Sequence, residues 1–223
     1  MESLEQIKTR IEAAVPGAKT EIVQNGSPAQ QHSLLIDNEH AVAIARFLPV
    51  DPALCLDFCS NVTGVDWPGR VVKKTTKVKK LVDGQEKEIV ETTEEKIPGH
   101  LEAVYHLYSI THKHGPVIIR MRTDDRGEAA RLPSLTPIWR SAEFQEREIY
   151  DLYGIRFDGH PDLRRILMWD EFEDYPMRKD YREPDDYEWE PTPHDEVLAK
   201  TKQHSTPRPE LDGAESIVEP VKS

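Results

Sequence analysis

LEAVYHLYSI at residues 101–110, THKHGP at 111–116 and VIIRMR at 117–122 decide the fold class. The first stretch alternates in the manner of a strand, and the last is a short, β-branched-rich run that predicts its antiparallel partner. The six residues between them read as a polar turn. His112 and His114 lie in that turn, but a zinc site takes four ligands and two imidazoles are short of that. A sheet therefore runs through the middle of the chain, and the segments on either side must pack on it.

Upstream, Ser3-Leu4-Glu5-Gln6 has the form of a capping box. Leu4, Ile7, Ile11 and Val15 follow at helical spacing, and Pro16-Gly17 stops the helix. Short strands are predicted at residues 21–24 and 33–36, with Asn25-Gly26 as a turn. Ala41, Val42, Ile44, Ala45 and Leu48 mark a second helix. Asp51-Pro52 predicts a cap with proline at the first helical position, opening a short helix that carries Leu54, Phe58 and Val62. Cys55 and Cys59, four apart in that stretch, read as buried reduced thiols.

Residues 71–97 form a distinct insert. Asp83-Gly84 is a two-residue hairpin signal. The first arm carries Lys73, Lys74, Lys77, Lys79 and Lys80, and the second carries Glu86, Glu88, Glu91, Glu94 and Glu95. Pairing Val82 with Gln85 sets Lys79 opposite Glu88, Lys73 opposite Glu94 and Val78 opposite Ile89, each pair adding about 0.2–1 kcal/mol. Such a hairpin is either a solvated projection or a docking finger.

Downstream, Thr136-Pro137 predicts the start of the longest late helix, which runs towards Tyr153, continuously or with one break, and stops at Gly154. Residues 183–223 are rich in Pro, Asp and Glu and have no sustained periodicity, so they cannot build a core. They read as an extended acidic tail, either free or laid along a partner. The reading is α+β: a mixed sheet packed with helices, a charged β-hairpin insert and an extended C-terminal tail. It divides into an N-terminal α/β portion at 1–64, a portion at 65–182 that holds the insert 71–97, and the tail at 183–223.

Bulk properties exclude several classes of function. The 223 residues carry a formal charge of −12, and the basic cluster at 73–80 is followed by a matching acidic stretch, which argues against a phosphate-backbone partner. No apolar run reaches the roughly 18–20 residues of a membrane span. The start lacks the pattern of a signal or transit peptide, which places the chain in the cytoplasm, with a membrane reached only through partners. Two cysteines cannot hold an iron–sulfur cluster, which usually takes four. No phosphate-binding or dinucleotide-binding glycine motif, nucleophile elbow or H-E-x-x-H occurs. The chain reads as a subunit with no catalytic, cofactor-binding or metal-binding residues of its own.

The most specific stretch is EREIYDLYGIRFDGHPDLRRIL at 146–167. It resembles the signature of the thirty-kilodalton subunit family of respiratory complex I, the C-type subunits of NADH-quinone oxidoreductase. That pattern is E-R-E, an acid after two residues, two apolar or aromatic residues, a six-residue gap, His, three residues, then Arg-Arg and an aliphatic residue. The positions that carry it include Glu146, Arg147, Glu148, Asp151, His160, Asp162, Arg164 and Arg165. Val65-Asp66-Trp67, Val104 to Ser109 and Met177-Arg178-Lys179-Asp180-Tyr181 are similar to further family segments, with Met177 where the family has Leu. The hairpin is longer than the family's connection, and the stretch after Glu190 matches nothing in it.

The resemblance implies a cofactor-free scaffold in the quinone-reducing peripheral arm of a proton-translocating NADH:quinone oxidoreductase. FMN and iron–sulfur clusters would sit in partner subunits. It also implies the large D-type subunit and the cluster-bearing B-type subunit of complex I as partners, alongside other peripheral-arm subunits. The place would be peripheral, on the cytoplasmic face of the bacterial plasma (inner) membrane. Homologous subunits of membrane-bound hydrogenases or other quinone-linked dehydrogenases share the signature, and a free-standing assembly protein is the reading from another class.

Read for its own chemistry, the late helix places Ile138, Ala142, Ile149 and Tyr153 on one stripe at 100° per residue. Glu146 falls at its edge, while Arg147 and Glu148 point to other faces. A carboxylate at that edge needs a partner if buried, and Arg164 or Arg165 is expected to supply it as an ion pair across the glycine turn. A paired-carboxylate acid/base site from Glu146 and Asp162 is the enzymatic alternative.

Overall fold

In the computed structural model, the described residues are 2–82, 85–127 and 129–182; over 73–82 and 85–93 only the backbone pairing is described. Residues 1–182 form one compact unit. The expected tail at 183–223 lies outside the described residues.

Helix α1 spans Leu4–Ala14. Ser3 Oγ accepts the Gln6 N–H at 3.3 Å, and Gln6 Oε1 accepts the Ser3 N–H at 2.8 Å, so the expected capping box is present. Ile7 and Ile11 are its buried stripe. Strands β1 (Thr20–Val23) and β2 (Ser33–Ile36) pair antiparallel, and helix α2 follows over Ala41–Val50 with Ala41, Ile44, Ala45 and Leu48 buried.

The helix expected after Asp51 is a single turn. Asp51 Oδ1 accepts the N–H groups of Ala53 and Leu54 at 2.9 and 3.1 Å. Cys55 then takes φ 46°, which breaks helical continuation. Strand β3 runs from Phe58 to Trp67. The spacing of Leu54, Phe58 and Val62 imitates a helix, but Val62, Gly64 and Asp66 are buried at every second position, the strand period. Cys59 is buried as expected, whereas Cys55 is half-exposed.

Strands β4 (Arg70–Val82) and β5 (Gln85–Ile97) form a two-stranded sheet of their own. Its register pairs Val82 with Gln85, Lys79 with Glu88, Val78 with Ile89 and Lys73 with Glu94, the pairing read from the charge pattern. Strands β6 (His100–Ser109) and β7 (His114–Arg122) are antiparallel neighbours. The main sheet has the order β1-β2-β7-β6-β3, mixed because β2 and β7 are parallel. β3 runs across residues 64 and 65, so this sheet draws strands from both sides of that point. The short strand β8 (Arg131–Pro133) precedes helix α3 (Ala142–Tyr153) and pairs parallel with β9 (Arg156–Asp158). The residues expected to begin the late helix at Pro137 instead form tight turns: the Ile138 and Trp139 N–H groups both reach Leu135 O at 3.0 Å.

One hydrophobic core joins the three helices to one face of the sheet. Leu101, Ala103, Tyr105 and Leu107 of β6 and Val117, Ile119 and Met121 of β7 point into it. Trp139 closes the end of this core and donates its indole N–H to Leu56 O at 2.9 Å.

Candidate functional site

Helix α3 is fastened to the edge strand β3 by its polar residues. Ser141 donates to Cys59 O at 2.7 Å, and Gln145 Oε1 accepts the Val62 N–H at 2.5 Å. Gly64 leaves room for the next contact: a Cβ there would lie 2.5 Å from Cδ2 of Tyr153.

Glu146 is fully buried on the inner face of α3, not at the edge of its stripe. Its Oε1 accepts the Tyr105 hydroxyl and the Leu135 N–H, both at 2.9 Å; its Oε2 accepts Ser134 Oγ at 2.6 Å and Thr136 Oγ1 at 3.1 Å. Burial pushes its carboxyl up, and these donors offset part of the rise. The expected ion pair with Arg164 or Arg165 does not form. Four neutral donors satisfy the carboxylate, tying α3 to the middle of β6 and to the turn before the helix. An acid/base pair with Asp162 also fails, because every oxygen lone pair of Glu146 is engaged while Asp162 is exposed.

The arginines find other partners. Arg165 donates Nη1 to Asp151 Oδ1 at 2.7 Å and to Asp151 O at 3.1 Å. Asp151 is itself fully buried, and its Oδ2 accepts the successive N–H groups of Ile166, Leu167 and Met168 at 3.0, 2.7 and 2.9 Å. Consecutive amides turned onto one anion make a nest. Burial alone would raise the Asp151 carboxyl, but these three amides and Arg165 hold it below the ordinary range. The Arg165 guanidinium also lies over the Phe172 and Tyr175 rings at 5.5 and 5.6 Å.

Arg147, expected on a face other than the apolar stripe, is buried there as well. It donates Nε to Arg164 O and Nη2 to Arg165 O, each at 3.1 Å, and its Nη1 lies 3.6 Å from Asp162. The reason is the return of the chain after β9, which brings two carbonyls over that face of the helix. Arg164 pairs with Asp162, its Nε reaching both oxygens at 3.1 and 3.0 Å. His160 links the loop to the start of α3: its Nε2 meets Glu143 O at 2.9 Å and its Nδ1 accepts the Asp162 N–H at 3.0 Å. With Nδ1 accepting, Nε2 is the ring nitrogen placed to donate to Glu143 O. Glu148 is exposed, as expected.

Two other segments singled out in the sequence meet here. Arg126 grips Asp66 with two bonds of 2.7 Å and Asp180 with bonds of 2.8 and 3.2 Å, while the Lys179 N–H reaches Asp66 Oδ2 at 2.8 Å. Arg178 donates to Tyr153 O at 2.8 Å at the C-terminal end of α3, where a cation is favoured. Gly154, at φ 78°, ends the helix, and a Cβ there would strike Tyr175 at 2.6 Å and Arg178 at 2.7 Å. Sequence reading did not single out Arg126, which lies in neither segment.

The segments held by these buried bonds carry exposed apolar side chains. Ile166, Leu167, Trp169 and Met177 are 39%, 58%, 43% and 53% exposed. Glu146, Asp151, Asp162, Arg147, Arg164 and Arg165 are taken up by bonds within the chain, whereas Glu148 is exposed. Among the described residues no group of three or more His, Cys, Asp and Glu side chains could hold a metal, and no helix is long and apolar enough to cross a membrane.

Comparison with known proteins places the chain beside respiratory subunits. The model of the respiratory-chain NADH dehydrogenase 30 Kd subunit family matches residues 34–187. The second C-type subunit of NADH-quinone oxidoreductase from Rhizobium meliloti (strain 1021) is 38% identical over 169 residues, covering 75% of this chain and 76% of that protein. Among unfused relatives the chain spans from 47% to 81% of the other protein's length. The fused C/D protein of NADH-quinone oxidoreductase from Phocaeicola vulgatus is 39% identical over 128 residues, 57% of this chain and 19% of that one. A chain of the membrane-bound sulfane sulfur reductase, an archaeal respiratory membrane complex, superimposes with TM-score 0.53 at 19% identity over 99% of this chain and 100% of that one, a likeness of fold.

Proposed function

This chain belongs to the respiratory-chain NADH dehydrogenase 30 Kd subunit family, and from that premise we propose that its signature is the joint by which it docks on the large D-type subunit of NADH:quinone oxidoreductase. It is a scaffold of the peripheral arm. NADH oxidation through FMN and iron–sulfur centres to quinone takes place in other subunits, and the cluster-bearing B-type subunit lies near. The membrane, at its cytoplasmic face, is reached only through the complex.

The observation that carries this reading is the Asp151 nest. A fully buried carboxylate offers one oxygen to three consecutive amides, and the loop so held turns Ile166 and Leu167 outward. Burying a carboxylate is costly unless it is paired, so the arrangement is explained by a surface that must keep one shape. The fused C/D relative supports the D-type subunit as the partner, since one chain there carries both units.

The test is recovery of this chain with the complex purified through a tag on the D-type subunit. Leu167→Asp sets a charge on the ridge without touching a buried bond. It should reduce co-purification by about tenfold or more while the isolated chain keeps its fold, because central interface anchors cost about 2 kcal/mol or more. Undiminished recovery would overturn docking through this ridge.

A further inference from the structure

The main sheet has a second face. Among the described residues, the buried apolar residues of the three helices fall in the cluster with Leu101, Tyr105, Ile119 and Met121, so these helices lie on one side. The alternate residues of β6 and β7 point to the other side. Val104 and Ile118 are buried there, yet they stand outside the core cluster.

On this face, opposite Arg122 at the end of β7, lies Glu102, fully buried. It accepts the Trp67 indole N–H at 2.9 Å, Arg120 Nη1 at 3.0 Å and Arg122 Nε at 3.0 Å, with His100 Nε2 3.4 Å away. One carboxylate thus faces two guanidiniums. Arg122 also borders a shallow depression shared with Glu21 and Asp124, so the surplus positive charge centres on Arg120. Arg120 Nε and His106 Nδ1 are buried without a hydrogen-bond partner. An Arg Nε–H is a fixed donor, and leaving it unmet is unfavourable.

The composition points the same way. No lysine occurs in β2, β3, β6 or β7. The face offers Trp67, 42% exposed, with His100, His106, Arg120 and Arg122; the Lys179 ammonium, from outside the sheet, lies over the Trp67 ring at 5.6 Å. Aromatic residues and arginine enriched, and lysine depleted, is the pattern of the centre of a protein interface.

We propose that this face, which bears no helix among the described residues, is a second interaction surface, and that its occupant is a carboxylate-bearing segment of another subunit of the assembled oxidoreductase, with an acid set against Arg120. The inference rests on membership of the complex but not on the signature ridge. Two guanidiniums against one carboxylate, with one donor of Arg120 unmet, select an acidic partner.

The test uses the intact complex carrying Arg120→Lys, treated with a water-soluble carbodiimide and analysed by peptide mass spectrometry. The introduced amine can form an amide only with a carboxyl in direct contact. The expected product joins position 120 to an Asp or Glu of another subunit, and it is absent from the wild-type complex because arginine does not couple. Cross-links confined to Glu102 or to residues 183–223 of the same chain, or none, would overturn the proposal. Arg120→Glu supplies the second readout, with Arg120→Ala in its place if the isolated Arg120→Glu chain loses its thermal transition. Recovery of this chain through a tag on the subunit that position 120 couples to should fall about tenfold or more, and unchanged recovery counts against the surface. If the wild-type chain itself failed to co-purify with the tagged D-type subunit, the proposed docking would fall; if it co-purifies but position 120 couples to no other subunit, only this surface falls.

Discussion

Arg165 holds Asp151 at 2.7 Å, and the second oxygen of the same carboxylate gathers the three amides that follow Arg165 in the chain. Helix α3 and the loop behind it are therefore joined through one buried acid. Glu146, five residues earlier on the helix, serves a different junction, to β6 through Tyr105 and to the preceding turn through Ser134 and Thr136.

Breaking the Asp151 joint should be costly. Asp151→Asn or Arg165→Ala is expected to destabilise by about 3–5 kcal/mol, because each strands a buried partner. Their double mutant should fall well short of additivity. Glu146→Gln combined with Arg165→Ala should be additive within about 0.5 kcal/mol, since the two share no partner. Urea unfolding of these single and double variants measures both couplings, and strong coupling of Glu146 to Arg165 would contradict the structure.

The two buried acids should also act oppositely with pH. Asp151 is held below its ordinary 3.8, so its contribution is full above that value and is lost as pH falls through the native value. Glu146 is raised above its ordinary 4.5, so the folded state binds its proton more readily than the unfolded chain. Stability therefore declines as pH rises from 4.5 through the native value. Unfolding free energies across the acid range should show Asp151→Asn flattening the lowest-pH limb and Glu146→Gln removing the decline above it. Identical pH profiles for the two variants and the wild type would contradict these assignments.

Cys59 should be nearly inert. Burial pushes its thiol up to about 12, so at pH 8 the thiolate fraction is on the order of 10⁻⁴. Cys55 is half-exposed. Titration of the native chain with a disulfide reagent at pH 8 should modify Cys55 quickly, with Cys59 reacting only on unfolding. Rapid release of two equivalents would place Cys59 at the surface.

The hairpin should be separable. β4 and β5 pair only with each other, and Gly69 and Gly99 at its base are close enough that a Cβ on Gly69 would lie 3.1 Å from the Gly99 nitrogen. Deleting residues 73–95 with a short turn as bridge should leave one cooperative thermal transition by calorimetry. Its loss would show that the hairpin supports the core, whereas retained folding with lost assembly would make it a docking element.

Local chemistry made part of this molecule legible in advance. The charge ladder and Asp83-Gly84 determine the hairpin register, and Ser3 with Gln6 determines the first cap, because each partner lies a few residues away or follows from one turn. β3 was hidden because Leu54, Phe58 and Val62 recur every fourth residue, although Cys55 at φ 46° interrupts any helix there. The partner of Glu146 was hidden for a different reason. Its donors come from β6 and from a turn that displaces the start of α3 to Ala142, and neither placement follows from local spacing. Asp66 and Asp180 stood in recognisable segments, yet the residue that joins them, Arg126, is one arginine in an unremarkable loop.

The docking claim is tested most directly by a photo-activatable residue in place of Leu167 within the intact membrane complex, with the adduct identified by mass spectrometry. The expected adduct is to the large D-type subunit, at high yield relative to the same probe at Arg140, which is 90% exposed and precedes α3. A probe at Leu167 that labels only this chain, or water, or gives no more of that adduct than the control site, would contradict a signature built to dock.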